Sequence, residues 1–152
     1  MTGALSALIF AAVVALAPGA AAQTEPPEQK VRMKDMPAAV QKAVQEQTAG
    51  ARIKGLAKEI EDGQTFYEAE TVVNGRTRDV LFDVNGRVVE VEEQILLSEA
   101  PAPVRAALAG KGKLLILEKV TKGDRIAYEA HVSNKGKTTE IVLDAAGKPA
   151  KL

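Results

Sequence analysis

Residues 66–70 read Phe-Tyr-Glu-Ala-Glu, and residues 127–131, which lie 61 positions further along, read Ala-Tyr-Glu-Ala-His. The same spacing aligns Asp-Val-Leu-Phe-Asp at residues 79–83 with Glu-Ile-Val-Leu-Asp at residues 140–144. It also aligns the glycines of the turns predicted in each copy: Gly75 with Gly136 and Gly86 with Gly147. Self-similarity at one fixed spacing is typical of a repeated structural unit. The sequence therefore predicts two copies of one small unit.

A helix is predicted at the start of each copy. In the first copy, apolar residues recur at helical spacing from Met36 to Val44, with Asp35 as a candidate N-cap and Gly50 at the end. The second helix is predicted over residues 100–109, with Ser98 as a candidate cap.

Strands are predicted downstream of each helix, because the apolar residues there change to a period of two. Residues 126–132 alternate apolar and polar side chains, which is typical of a sheet with one buried and one solvated face. Asn74-Gly75 and Asn85-Gly86 predict hairpin turns, since both residue types tolerate a positive φ. The first strands of the two copies are predicted at about residues 52–60 and 113–120.

These elements predict an α+β fold of two tandem modules, which span residues 34–95 and 96–152. Each module is expected to pack one helix on an antiparallel sheet of about three or four strands. Tyr67 and Tyr128 occupy equivalent positions on the predicted buried row. The opposite face of each sheet is expected to be solvated.

The N-terminus predicts export from the cytoplasm. Residues 4–17 are apolar except for Ser6, and they are followed by Pro18-Gly19 and by small residues up to Ala22. A run of this length is too short to span a bilayer, and the small residues fit a signal-peptidase site. We therefore predict a signal peptide at residues 1–22. An uncleaved anchor and a buried apolar helix stay open as alternatives, because the first residues carry no Lys or Arg.

A flexible linker is predicted next, at residues 23–33, because this stretch is polar and contains prolines. The mature chain is expected to be periplasmic or secreted, with no membrane span. Lys and Arg number 20 and Asp and Glu number 20, so the chain lacks the positive field that nucleic-acid binding needs. The absence of cysteine excludes disulfides, thiolate metal sites and cysteine nucleophiles.

The two copies resemble the PepSY-like superfamily, in the periplasmic branch whose fold is similar to beta-lactamase inhibitor protein. In the first copy the resemblance rests on the helix start at residues 36–40, the strand at 66–70 and the hairpin at 80–87. In the second copy it rests on residues 127–130 and 141–148. The resemblance implies an exported protein without catalytic residues that acts by binding other proteins.

The candidate partner-binding residues are those expected on the outer face of the predicted sheets: Phe66, Glu68, Glu70, Glu129 and His131. An exposed Phe among carboxylates suits a protein partner, since binding energy concentrates in a few aromatic residues. Coverage of Phe66 by the linker stays open as an alternative. His131 is the single histidine, and it is expected as a solvated residue beside Glu129 rather than as a metal ligand.

No catalytic, cofactor-binding or metal-binding residue is predicted. Asp83 and Asp144 each precede a turn glycine by three positions, and the preferred interpretation is that each accepts hydrogen bonds from its turn rather than binds calcium. The chain carries no phosphate-binding glycine loop and no nucleophile elbow, so we do not expect an enzyme. The sequence therefore favours a protein-binding module that inhibits or assists the folding of another envelope protein. The alternative is a periplasmic sensor of a small ligand or metal cation.

Overall fold

The computed structural model describes residues 28–151 of the chain. The predicted signal peptide at residues 1–22 lies outside the described residues, as do residues 23–27 of the predicted linker. Further along that linker, residues 29–30 pair with the edge of the sheet. Among residues 28–151, no helix has the length and apolar character needed to cross a membrane.

The main element is one antiparallel sheet of eight strands, in which each strand pairs with the next along the chain. The strands are β1 (Gln29–Lys30), β2 (Arg52–Glu61), β3 (Gln64–Val73), β4 (Arg76–Asp83), β5 (Val88–Gln94), β6 (Lys113–Lys122), β7 (Arg125–Asn134) and β8 (Lys137–Leu143). Helix α1 (Ala38–Gln47) lies between β1 and β2 in sequence, and helix α2 (Ala102–Leu108) lies between β5 and β6.

The predicted fold class of two tandem helix-on-sheet modules is wrong. The structure is mostly β, and strand β5 pairs with β6 along residues 90–94 and 118–122, so the sheet continues through the predicted module boundary. Joining two edges satisfies backbone groups that each edge would otherwise leave unpaired. The boundary between residues 95 and 96 falls in the connection after β5, and the domain division stays a prediction.

Both helices pack on the same face of this sheet. Val40 and Val44 of α1 are fully buried in a cluster that includes Phe82, and Val104 of α2 is fully buried in a second cluster that includes Leu117. Burial of each such side chain contributes about 1.5–3 kcal/mol to folding. Tyr67 is buried as predicted, at 8% exposed. The helix side of the sheet is therefore the hydrophobic core.

The helix ends differ from the prediction. Asp35 does not cap α1, because its carboxylate pairs with Arg32 at 2.6 Å and the N-cap position is Pro37. Pro101 takes the same position for α2, and Ser98 lies in a short 3₁₀ turn before it. Proline suits a helix start because its fixed φ is compatible with the first turn and its missing N–H is not needed there.

Turns after β4 and β8 hold the sheet against the helix starts. Asp83 Oδ1 accepts hydrogen bonds from the backbone N–H groups of Asn85 and Arg87, at 2.9 and 3.0 Å. Asp144 Oδ1 accepts the equivalent pair in the turn after β8. The predicted turn role of both aspartates is confirmed. A Cβ added to Gly86 would lie 2.5 Å from the carbonyl oxygen of Ala39, so this turn contacts α1 at backbone distance.

Candidate functional site

The face of the sheet opposite the helices carries a row of acidic side chains. Strand register sets this row, since residues that pair across adjacent strands share a face. Asp79 lies opposite Glu92, and Glu118 lies opposite Glu129. We define the carboxylate belt as the side chains that cross this face from β2 to β7: Glu59, Glu68, Asp79, Glu92, Glu118 and Glu129.

Burial makes a part of the belt difficult to ionise, namely Glu59, Glu68, Asp79, Glu92 and Glu118. Desolvation is the largest cause of every shift in the belt, and it raises the pKa of Glu68 to about 9 and that of Glu92 to about 10. It also raises the pKa of Glu59 and of Glu118 to about 7, and that of Asp79 to about 6. Neighbouring carboxylates add to the shift, because like charges disfavour ionisation of one another.

Acidic side chains on this face lie beside one another. The charge of Glu59 opposes ionisation of Glu68, and the charge of Glu90 opposes ionisation of Glu92. Two adjacent carboxyl groups can form a hydrogen bond only when one of them carries a proton. Glu90 also contacts Lys122, whose Nζ lies 2.8 Å from Glu90 Oε2. The belt thus exists in the folded protein as a partly protonated acidic surface.

Glu118 is the member whose partners are least complete. Its side chain is 1% exposed, and Oε1 accepts a hydrogen bond from Thr77 Oγ1 at 3.3 Å. Its other oxygen, Oε2, has no hydrogen-bond partner. A buried acceptor without a partner costs about 1–3 kcal/mol. The position therefore lowers stability unless another group satisfies Oε2.

A narrow cleft opens in the belt between β2 and β5. It is lined by Glu59, Glu68, Asp79, Leu81, Glu90 and Glu92, and the open space is about 10 Å³. That is close to the minimum that holds one water molecule. A small organic substrate does not fit in this cleft.

A second group lies at the β7 and β8 end of the same face. His131 Nε2 lies 2.9 Å from Glu129 Oε1, and Glu140 is paired directly opposite His131. Ligand atoms of these three residues lie within 4.8 Å of one another. Glu140 is exposed, whereas Glu129 is buried at 7% exposed.

The predicted site residues all lie on this face, but their environment differs from the prediction. Phe66, Glu68 and Glu70 are half-buried, and Glu129 is buried, so the expectation of a fully solvated outer face is wrong. Contacts between neighbouring side chains on the eight-stranded sheet exclude water from its centre. The partner-binding role of these residues stays a prediction.

Sequence reasoning missed five acidic members of this face: Glu59, Asp79, Glu92, Glu118 and Glu140. The internal spacing contained the signal for two of them. Asp79 aligns with Glu140 at the same spacing that aligns Glu70 with His131. In the sheet, Glu70 lies opposite Asp79, and His131 lies opposite Glu140. Glu92 and Glu118 gave no such signal, because they meet only through the pairing of β5 with β6.

Comparison with known proteins identifies the fold. No family model matches the chain, and no curated protein matches it. Among solved structures, a protein of Bacteroides eggerthii that is described as periplasmic matches with a TM-score of 0.64 and 22% identity, over 76% of this chain and 86% of that one. A DUF2874 family protein of Bacteroides ovatus matches with a TM-score of 0.61 and 20% identity, over 76% and 85%.

A third structure decides the kind of fold. It is a protein of Bacteroides fragilis that is similar to beta-lactamase inhibitor protein, and it matches with a TM-score of 0.56 and 18% identity, over 76% of this chain and 84% of that one. The chain has a BLIP-like fold. This agrees with the fold that the PepSY-like resemblance implied. Identities of 18–22% establish the fold and leave the function to be argued from the site.

Proposed function

We propose that the chain is an exported, non-catalytic binding protein of the periplasm that binds a lysine- and arginine-rich segment of another envelope protein on the carboxylate belt. Inhibition and assisted folding of that partner are both compatible with this role. The periplasmic location is supported by the sequence of residues 1–22 and by the matched structure that is described as periplasmic.

The observation that carries the proposal is the excess of buried acid on one face. Glu68, Glu92 and Glu118 all have a raised pKa because burial and like charges oppose their ionisation. A cationic side chain laid across them would stabilise the ionised form, since opposite charge lowers the pKa of a carboxyl group. Binding would thereby relieve a cost that the free protein carries, and it would release protons.

The shape of the face supports a protein partner. The described helices pack on the other face, so the belt is open to an extended segment. Phe66 is half-buried on the same face, and it offers an apolar contact beside the acidic side chains. The narrow cleft and the absence of a nucleophile motif in the sequence support binding without catalysis.

The test is a fluorescence anisotropy titration at low salt with a labelled lysine- and arginine-rich peptide, and with a glutamate-rich peptide of the same length. We expect the protein to bind the basic peptide, with affinity that rises from pH 6 to pH 8 as the belt ionises. Glu70 lies directly opposite Asp79 of the belt, so Glu70→Gln should weaken binding about tenfold, as expected for the loss of one charge-assisted contact. Glu46→Gln is the matched control, because it removes the same charge from exposed α1 on the opposite side. Equal affinity for both peptides would refute the proposal.

A second candidate function is a calcium sensor. Oxygen atoms of Glu28, Glu68 and Glu70 lie within 4.8 Å of one another, and carboxylate oxygens are the ligands that Ca²⁺ prefers. Millimolar Ca²⁺ added to the same titration distinguishes the two functions. The calcium function is favoured if Ca²⁺ displaces the peptide while KCl of equal ionic strength leaves the peptide affinity unchanged.

We also infer a distant relationship to PepSY-like domains. The supporting observation is the recurrence of one turn in the two halves of the sheet. A Cβ added to Gly86 would lie 2.5 Å from the carbonyl oxygen of Ala39, and one added to Gly147 would lie 2.5 Å from that of Pro103. The corresponding glycines lie 61 positions apart in the sequence.

A further inference from the structure

The group at the β7 and β8 end differs in chemistry from the rest of the face, because it contains the single histidine of the chain. Glu129, His131 and Glu140 offer an imidazole nitrogen and two carboxylate oxygens, and these atoms lie within 4.8 Å of one another. Glu129 and His131 project from one strand two residues apart, and Glu140 projects beside them from the next strand. Neighbouring strands are rigid supports, so the three side chains are already arranged around one point.

The buried carboxylate of Glu118 gives a second, independent indication of a positive ligand. It lies on β6 directly opposite Glu129. Its Oε2 is buried and has no hydrogen-bond partner. Burial of an acceptor without a partner is uncommon in a folded protein, and a cation bound at this end of the face would offset its cost.

We propose that Glu129, His131 and Glu140 form a binding site for a divalent transition-metal ion such as Zn²⁺. Zinc takes imidazole nitrogen and carboxylate oxygen in tetrahedral sites, and three protein ligands leave the fourth position for water. Calcium and magnesium prefer oxygen-only sites, so the imidazole favours a transition metal. The bond between His131 Nε2 and Glu129 would give way to bonds from both groups to the metal.

The proposal does not depend on the binding of a basic segment, because zinc binding is measured with no peptide present. Metal binding is measured by isothermal titration calorimetry of ZnCl₂ into the untagged protein at pH 7.5, with CaCl₂ and MgCl₂ as comparison ions. We expect one Zn²⁺ per chain and no comparable heat from the other two ions. Proton NMR gives a direct readout, since the single histidine yields one set of imidazole signals.

Variants then assign the site. We expect His131→Ala and Glu140→Gln each to reduce zinc affinity at least tenfold, whereas Glu46→Gln, which removes an exposed carboxylate of α1 on the other side of the sheet, leaves it unchanged. Glu140 is exposed, so Glu140→Gln should keep the fold, and circular dichroism verifies this. Imidazole signals that do not shift with one equivalent of Zn²⁺, or zinc binding retained in both variants, would overturn the proposal.

Discussion

At the scale of the residue, Glu118 shows why this face is costly to fold. Its side chain is 1% exposed, one of its oxygens has no hydrogen-bond partner, and burial raises its pKa to about 7. When the pKa of an acid is raised in the folded state, the folded protein is more stable with that acid protonated than with it ionised. The stabilising state is therefore present below the ordinary pKa near 4.5 and is lost as pH rises through about 7.

We expect Glu118→Gln to stabilise the protein at alkaline pH. A neutral amide has no ionisation cost, and its Oε1 can still accept the hydrogen bond from Thr77. The gain in free energy of unfolding should approach about 3 kcal/mol at pH 9 and should be only about 1 kcal/mol at pH 5. Urea unfolding at both pH values measures this gain.

Glu99→Gln is a control with the opposite sign, because Glu99 accepts a hydrogen bond from Arg76 at 2.7 Å and has a lowered pKa. A gain that is equal at both pH values would contradict the ionisation argument.

At the scale of the element, the turn after β4 fastens α1 to the sheet. Gly86 has φ of +78°, and a Cβ there would lie 2.5 Å from Ala39 O and 3.2 Å from the Cβ of Ala43. Any side chain would have to displace the backbone at the helix start. Gly75, in the turn between β3 and β4, has a similar φ of +83° but nothing within 4 Å of the same position.

Comparing Gly75 with Gly86 separates the free-energy cost of backbone strain from the cost of lost packing. Gly75→Ala should cost about 1 kcal/mol, the penalty for a left-handed conformation alone. Gly86→Ala should cost about 3 kcal/mol or more, because the displaced helix start loosens the cluster around Phe82 as well. Chemical denaturation of the two variants beside the original chain measures the costs. Similar losses in both variants would show that the turn does not hold the helix.

The sequence predicted local elements well because local chemistry determines them. Strand β2 was expected at about residues 52–60 and is Arg52–Glu61, and Asn74 and Gly75 both have the positive φ that their turn requires. The joining of β5 to β6 was not predictable, since no local pattern records which sheet edges meet. Glu92 and Glu118 become buried only through that joining, so the centre of the belt was missed, whereas Glu68 and Glu129 on either side of it were named.

At the scale of the whole molecule, the continuous sheet concentrates like charges that two separate modules would keep apart. The ionisation of Glu92 is opposed first by burial and then by three carboxylates on three strands: Glu118 of β6, Glu90 of β5 and Glu129 of β7. Lys122 offsets part of this charge through its contact with Glu90. The pairing of β5 with β6 thus gains backbone hydrogen bonds and an extended face, and it makes the stability of the entire fold sensitive to pH.

We therefore expect the melting temperature to be highest near pH 5 and to fall steadily toward pH 8. Asp79, Glu59 and Glu118, with pKa values of about 6, 7 and 7, are protonated in the folded state near pH 5 and must ionise across this interval. Because the unfolded chain releases those protons at lower pH, it binds fewer protons than the folded chain, and stability falls as pH rises. The lowered pKa values of Asp35 and Asp83 act in the opposite direction, but only near and below pH 4.

Differential scanning calorimetry between pH 5 and pH 8 measures the fall in melting temperature, and Glu118→Gln should make that fall smaller. A melting temperature that is constant or rises between pH 5 and pH 8 would show that the belt is ionised at no cost in the folded protein.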